Sequence, residues 1–366
     1  MQGLGNQTYS DQEVLEALTG ANRVWRFRYE LLDSNNEYIR DLDKVISCTV
    51  SQNALAQIKR TIKLEMQEDS DINFLRDRIK PYAGIRMPDG GYREWPQGVF
   101  LLTSPTRKLT SAGTRVRSIS GYDQLLILRD DKTEDRYTVE EGEKYTDRVS
   151  DLLDDFDAEV IPSSLELPTD MEWEPGTSFI TIINDLLRGV NYESLWFDED
   201  GVAVARPYLS PQNRPSEYTY GSGSDSTLLT ESDLELDLFD VPNKFVCVVS
   251  EPEREPLVAS YTNSDPSSPT STVSRGRTIV RIYEQQNAVD QLTLDARAER
   301  LAFEASQVFE SVEFQTGLMP FHSHADVYRV THPRLGVDAK YSEHTWEMPL
   351  RAGEKMSHRI RRVVSV

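Results

Sequence analysis

The sequence predicts an α+β chain rich in short antiparallel strands, with two β units on either side of a mixed middle region. Three observations lead there. Early segments alternate apolar and polar residues with a period of two and are separated by short Gly- and Asp-containing turns. Residues Thr177 to Tyr208 change to a helical period and then to a tight hairpin. Strand text returns after Val246 and is interrupted by one long helical stripe.

In chain order, residues 1–22 are polar and form an arm with a brief helix over Asp11 to Leu18. The first β unit is expected over 23–121. In Arg23 to Leu32, Trp25, Phe27, Tyr29 and Leu31 face one way and Arg26, Arg28 and Glu30 the other. Further strands are expected at Val45–Ser51, Thr61–Gln67, Asn73–Lys80, Gly98–Ser104 and Thr114–Gly121. The mixed α+β region spans 122–235. It opens with a helix over Tyr145 to Phe156 carrying Val149, Leu152, Leu153 and Phe156. A second helix follows with Phe179, Ile183, Leu186 and Val190 on one stripe and Gly189 at its stop. The hairpin Leu195–Ala205 turns at Asp198-Glu199-Asp200-Gly201, where Gly supplies a positive φ, and Pro207 ends the ladder pairing. The last unit, 236–366, has a loop by composition at Asn263 to Gly276. A helix over 290–308 follows, with Leu294, Ala298, Leu301, Ala305 and Val308 as its buried stripe. Strands are then expected at Ser311–Thr316, Ala325–Thr331, Tyr341–Leu350 and His358–Val366.

At 366 residues the chain should divide into two to four compact units. Its 40 basic and 61 acidic residues give a net charge of −21, which repels phosphate and disfavours a DNA-gripping surface. No apolar run approaches the roughly 20 residues of a membrane helix. The start MQGLGNQTYSDQEV has neither the basic end nor the apolar core of a secretory signal, and translation into a reducing cytoplasm fits. Cys48 and Cys247 have no CxxC partner and read as buried thiols.

No motif carries chemistry by itself. His322, His324, His332, His344 and His358 all fall near the end of the chain. On a strand His322 and His324 would share a face, the only hint of a metal site. With no HExxH and no third ligand at fixed spacing, surface or interface histidines are the expected reading. Carboxylates abound, among them Asp151, Asp154, Asp155 and Asp157, so chance pairs carry no signal for glycoside hydrolysis. The Asp198–Gly201 turn lacks the spacing of a calcium loop. Asp233, Glu235 and Asp237 alternate as on one strand face, either a solvated edge or an acidic lining. No GxSxG, P-loop or dinucleotide fingerprint is present, so neither catalytic residues nor cofactors are expected.

The order of these pieces resembles the baseplate-hub or tail-tip hub proteins of tailed bacteriophages, the minor tail proteins. The likeness rests on TSFITIINDLLRGV, the hairpin SLWFDEDGVAVARPY, RPSEYTYG and Val241-Pro242-Asn243. It continues through the loop NSDPSSPTSTVSRGR, the helix LDARAERLAFEAS and the strand at Asp326-Val327. It covers 120–366 well and the first third by strand pattern. The resemblance implies a homotrimer in which each chain supplies two tail-tube-like antiparallel β-barrels, so that six barrels form a ring continuing the tail tube. It also implies a virion protein of the tail tip that meets distal tail, tail-tube, tape-measure and spike, fibre or receptor-binding proteins, with DNA passing through unbound. Asp198, Asp200, Gly201, Pro242, Asn243, Asp265, Pro269 and Ser271 are its motif positions, with structural roles. The other functional classes consistent with the residues are a carbohydrate-active hydrolase and a receptor- or sugar-binding module.

Overall fold

The computed structural model describes all residues except 70, 110–112, 210, 212, 222–227, 237, 250–255, 285–290, 292–293, 296–297, 299–306, 334–335 and 366. Strand makes up 42% and helix 14%, so the class is α+β and β-rich. In chain order, α1 (Asp11–Thr19) is followed by β1 (Trp25–Leu32), β2 (Tyr38–Asp41), β3 (Val45–Asn53), β4 (Arg60–Gln67), β5 (Arg78–Arg86), β6 (Tyr92–Pro96), β7 (Phe100–Leu102), β8 (Thr106–Leu109) and β9 (Arg115–Tyr122). The middle contains α2 (Leu125–Asp130), β10 (Tyr137–Val139), α3 (Tyr145–Asp151), β11 (Ala158–Val160), β12 (Met171–Trp173), α4 (Phe179–Gly189), β13 (Trp196–Phe197) and β14 (Ala203–Ala205). Then come β15 (Tyr218–Gly221), β16 (Leu228–Leu236), β17 (Lys244–Val249), β18 (Leu257–Thr262), α5 (Thr272–Arg275), β19 (Val280–Glu284), β20 (Gln307–Thr316), β21 (Val327–His332), β22 (Val337–Pro349) and β23 (Met356–Ser365). Two compact units result, Met1–Ser232 with Phe314–Ile360, and Asp233–Glu313 with Arg361–Val366.

The first unit is organised by β4. Arg60, Ile62, Leu64 and Met66 point inward while Lys63 and Gln67 are exposed, the period-two pattern of a half-buried strand. β4 pairs antiparallel with β3 on one side and β9 on the other, so Ile62 lies opposite Val50 and Gly121, and Leu64 opposite Cys48 and Ile119. A side chain at Gly121 would meet Ile62 Cγ2 at 2.6 Å and the Leu101 carbonyl at 2.9 Å, so only glycine permits this approach. The sheet continues from β9 through β7, β5 and β1 to β2.

The strands at the end of the chain join this same sheet. The C-terminal half of β22 pairs with β3, placing Trp346 opposite Gln52 and Met348 opposite Val50. Its N-terminal half pairs with β21, which in turn takes β15 in parallel. Strands that the sequence assigned to a unit of their own at 236–366 therefore complete the sheet begun at residue 25. Pairing partners this distant in sequence leave no local trace in the chain. The described pairings form an open path rather than a closed ring.

In the middle region α4 buries Ile180, Ile182, Ile183, Leu186 and Leu187, a wider face than the single stripe expected. They pack with Val149, Leu153, Trp173, Leu195, Phe197, Ala203 and Ala205. Trp173 Nε1 donates to Asp185 Oδ2 at 3.0 Å, and Leu195 N donates to Asn184 Oδ1 at 2.9 Å, tying the helix to its flanks. Gly189 serves packing: a Cβ there would lie 2.5 Å from the Tyr145 ring. The left-handed residue that follows the helix is Asn191, at φ 58°.

In the second unit β17 lies between β18, antiparallel, and β19, parallel. Cys247, Ala259, Leu294 and Ala298 form its apolar cluster, with Leu257 and Tyr283 against it. Both Cys48 and Cys247 are buried free thiols, as the sequence implies.

Several expected boundaries shift. Asn73–Lys80 is a turn that leads into β5, because Asn73 and Asp77 bond to each other: Asp77 N donates to Asn73 O at 2.8 Å, and Asn73 N to Asp77 Oδ2 at 2.9 Å. Short polar side chains of this kind compete with strand pairing. α3 ends at Asp151, ahead of the expected Phe156. Of the helix expected over 290–308, residues 291, 294, 295 and 298 are helical, but Val308 already lies in β20; Leu301 and Ala305 lie outside the described residues.

The packing of α4 predicts that Ile183→Ala, at a fully buried position, lowers stability by about 2–5 kcal/mol. Arg188→Ala, on the exposed side, should stay within about 0.5 kcal/mol. Urea unfolding of the two variants checks this, and equal midpoints would contradict the assigned faces.

Candidate functional site

The hairpin turn between β13 and β14 is held by both local and long-range hydrogen bonds. Asp198 Oδ1 accepts from the amides of Asp200 and Val202, both at 2.9 Å, which shapes the turn. Gly201 adopts φ 90°, and a Cβ there would sit 2.9 Å from Gln124 Nε2 and 3.0 Å from Val99 Cγ2. Gln124 Nε2 donates to the Gly201 carbonyl at 2.8 Å, and Lys80 Nζ to Asp200 Oδ1 at 2.6 Å. Glu199, the member of the turn that the sequence did not single out, points inward and is 6% exposed. It accepts from Arg60 Nη2 at 2.6 Å.

Arg60 is itself buried, and its other donors reach Gln52 Oε1 at 2.9 Å and the Gln97 carbonyl at 3.1 Å. Gln52 Nε2 meets His324 Nδ1 at 3.0 Å, and the His324 ring stacks on Trp196 at 4.8 Å. One buried network thus joins β3, β4, the hairpin and the loop over 317–326. A sequence signal for it existed: Arg60 is in phase with Ile62, Leu64 and Met66, and a charge in phase with a core face needs a partner. Nearby, burial raises the Asp123 carboxyl to about 6, although it accepts the Arg60 and Leu125 amides.

The other motif positions lie in the second unit. Asn243 is fully buried: its Oδ1 accepts from Ile279 N at 2.8 Å, and its Nδ2 donates to the Thr270 and Arg277 carbonyls at 3.1 and 2.9 Å. Pro242 beside it is buried and Pro269 exposed. Asp265 Oδ1 accepts from Ser267 N and Oγ, and Ser271 Oγ caps α5 by accepting from Ser274 N at 3.1 Å. Asn243 is therefore the peg onto which the 263–276 loop is tied. Asp198, Asp200 and Gly201 form one turn, and the remaining five positions gather around this loop.

The histidines correct the expectation of a surface location. His322, His324 and His358 are buried, and His332 and His344 half-buried. His322 and His324 lie in a loop, where the strand period does not apply, and they diverge into different networks. His322 Nε2 lies 2.5 Å from the Tyr220 hydroxyl, and its Nδ1 is 3.4 Å from both Asp326 Oδ2 and Glu343 Oε2. His358 Nδ1 is 2.7 Å from Glu343 Oε1, and its Nε2 is 2.9 Å from Thr316 Oγ1. Phe314 stacks on His358 at 4.8 Å. Burial pushes His358 down to about 3 and Glu343 up to about 7. For Asp326 burial acts upward, but the His322 bond and the Met1 ammonium, 2.6 Å away, hold the carboxyl well below its usual range. Among the described residues, His322, Glu343 and His358 form the group whose ligand atoms lie close enough to hold a metal ion, within 4.8 Å of one another.

A surface recess is lined by Asp71, Ile72, Asn73, Phe74, Leu75, Ser104 and Pro105. It offers one carboxylate where glycoside hydrolysis needs two.

A β-rich α+β fold organised in this way is the fold of bacteriophage tail proteins. The chain superposes on the tail protein from Neisseria meningitidis MC58 with a TM-score of 0.67 at 14% identity, over 92% of this chain and 96% of that one. It superposes on the 43 kDa tail protein of prophage MuSo2 from Shewanella oneidensis with a TM-score of 0.65 at 12% identity, over 93% and 98%. For prophage tail protein gp18 from Listeria monocytogenes EGD-e the TM-score is 0.53 at 11% identity, over 92% and 94%. No family model and no curated protein matches the sequence.

Two outcomes follow from the buried network. Glu199→Ala strands the Arg60 guanidinium and should cost about 3–5 kcal/mol, much of it recovered when Arg60→Met is added; urea unfolding of the single and double variants measures this. His324 is held neutral in the fold, well below its ordinary value, by burial and by the cations Lys59, Arg206 and Arg60. The unfolded chain takes up that proton below pH ~6.5, so the stability tied to a neutral His324 is present above that pH and lost as pH falls. The stability gap between the wild type and His324→Gln should therefore narrow by about 2 kcal/mol from pH 7 to pH 5. A gap independent of pH would contradict the neutral assignment.

Proposed function

We propose that the chain is a structural subunit of a phage-type tail, a tail-tip or baseplate hub that assembles as a homotrimeric ring continuing the tail tube. The observation that carries this reading is the extent of the fold likeness. Over nine-tenths of this chain matches nearly the whole of two tail proteins, so the entire chain rather than an isolated module has their architecture. In the proposed ring the strands of 23–121 and those of 236–366 that pair with them face the tube, with the 122–235 region peripheral. The eight motif positions from Asp198 to Ser271 hold turns and loops in place rather than performing chemistry.

A physical feature of the second unit supports self-association. The registers of β17 with β18 and β19 place Val246, Val248, Val258, Val280 and Ile282 on one face of the three-stranded sheet, with Lys244, Ser260, Thr262 and Glu284 at its margins. Val258, Val280 and Ile282 are 54%, 50% and 66% exposed. An apolar face of this kind left in water favours association, and a second copy of the chain is the occupant a ring requires.

In the assembled tail the neighbours would be distal tail, tube, tape-measure and spike, fibre or receptor-binding proteins. The site of action would be the virion tail tip, after synthesis in the host cytoplasm. Part of the −21 charge of each chain would line the channel, keeping DNA hydrated and mobile instead of bound. A hydrolase reading finds less support: Glu199, Asp326 and Glu343 are sealed in the core, away from any polymer.

Mass photometry of the purified protein, alone and with tail partners, is expected to show a trimer and electron-microscopy averages a hollow ring. Ile282→Lys should shift the population to monomer without loss of secondary structure. Monomer and dimer alone, with no ring in an assembled tail, would overturn the reading.

A further inference from the structure

We propose that His322, Glu343 and His358 form a structural site for a divalent transition metal of the zinc class, with Asp326 beside His322. The first support is a count of hydrogens. Thr316 Oγ1 has one hydrogen, which it donates to the Gly317 carbonyl at 2.6 Å. At 2.9 Å from the same oxygen, His358 Nε2 must then be the donor, so it carries the hydrogen of the neutral ring. His358 Nδ1 is left with a lone pair, and it faces a lone pair of Glu343 Oε1 at 2.7 Å. Two acceptors at that distance repel unless they share a proton or bind a common metal ion.

The second support is spacing. His322 Nδ1 lies 3.4 Å from Asp326 Oδ2 and 3.4 Å from Glu343 Oε2. That is long for a charge-assisted hydrogen bond. For the His322–Glu343 pair it matches the separation of neighbouring ligands around a tetrahedral ion, which for metal–ligand bonds of about 2.0–2.1 Å is about 3.3–3.4 Å; His358 Nδ1, 2.7 Å from Glu343 Oε1, would have to draw back on loading. Glu343 Oε2 makes no hydrogen bond of strict geometry although the residue is 2% exposed, and the buried Tyr328 hydroxyl beside it bonds it only loosely.

The third support is the surrounding shell. Both imidazoles turn Nδ1 toward the same small volume, while each Nε2 is held from behind by a hydroxyl, Tyr220 for His322 and Thr316 for His358. Outer partners of this kind fix the ring orientation of metal-bound histidines. Asp326 Oδ2 is likewise held, accepting from Ser323 N at 2.7 Å. A mixed N and O set suits zinc better than magnesium or calcium. Such an ion would pin the 317–326 loop to β22 and β23.

The site is sealed, so loading would accompany folding. Protein purified without chelator from zinc-supplemented medium should contain about one zinc per chain by mass spectrometry of the metals. Denatured protein refolded with Co2+ should develop the visible bands of a tetrahedral ion, and zinc-refolded protein should melt at a higher temperature than protein refolded with a chelator. Glu343→Gln keeps the side-chain shape and should lower the metal content at least about tenfold while leaving the circular dichroism unchanged. Metal content unchanged in Glu343→Gln would overturn the site. So would wild-type protein that stays metal-free both as purified and after refolding in zinc, an outcome that assigns the gap between His358 and Glu343 to a proton. The wild-type measurement decides the matter even where the variant does not fold.

Discussion

A guanidinium cannot be taken out of water without partners for its donors, and Arg60 is 2% exposed. Much of the first unit is arranged around that constraint. Gln52 on β3, the Gln97 carbonyl and Glu199 in the hairpin turn each take one side of the group. Asp198 and Gly201 then make sense as the means of aiming Glu199: the first fixes the turn through two amides, and the second allows the backbone to approach Gln124 and Val99. Because Gln52 also meets His324, the position of the 317–326 loop is coupled to the same charge.

That loop carries the second concentration of buried polar groups. His322 and Asp326 lie at its end, facing Glu343 and His358 from β22 and β23. A core that buries so many ionisable side chains gains geometric definition rather than net stability, since each unmet group costs more than a met one returns. For a subunit of the proposed ring, a single well-defined arrangement has evident value. The second unit reaches the same end with neutral groups, where Asn243 alone ties two carbonyls and an amide of different segments.

The charged surface and the apolar sheet face divide the work differently. Net charge keeps copies apart, whereas Val258, Val280 and Ile282 favour contact on the face they share. The proposed ring calls on both.

Local physics made much of this legible from the chain alone. Alternation located β1, β3, β4 and β9; helical period located α1 and α4; and the acidic turn with its glycine located the hairpin of β13 and β14. The short strands β2, β6 and β8 carry too few residues for a period to register. Asn73 and Asp77 turned an apparent strand into a bend through bonds to the local backbone. Of the candidate sites, Asn243 is reached only through the family resemblance, whereas the turn at Asp198–Gly201 could be marked in advance, because turn chemistry is written in neighbouring residues. The partnership of Glu199 with Arg60, 139 positions away, could not. Nor could the meeting of His322, Asp326, Glu343 and His358, or the return of β22 to β3 across nearly 300 residues. Sequence by itself determined the kinds of element and their order, since those depend on each residue and its near neighbours. Only the tertiary structure decided which strands pair and which charges meet, because those choices are made by burial and distance between segments that share nothing along the chain.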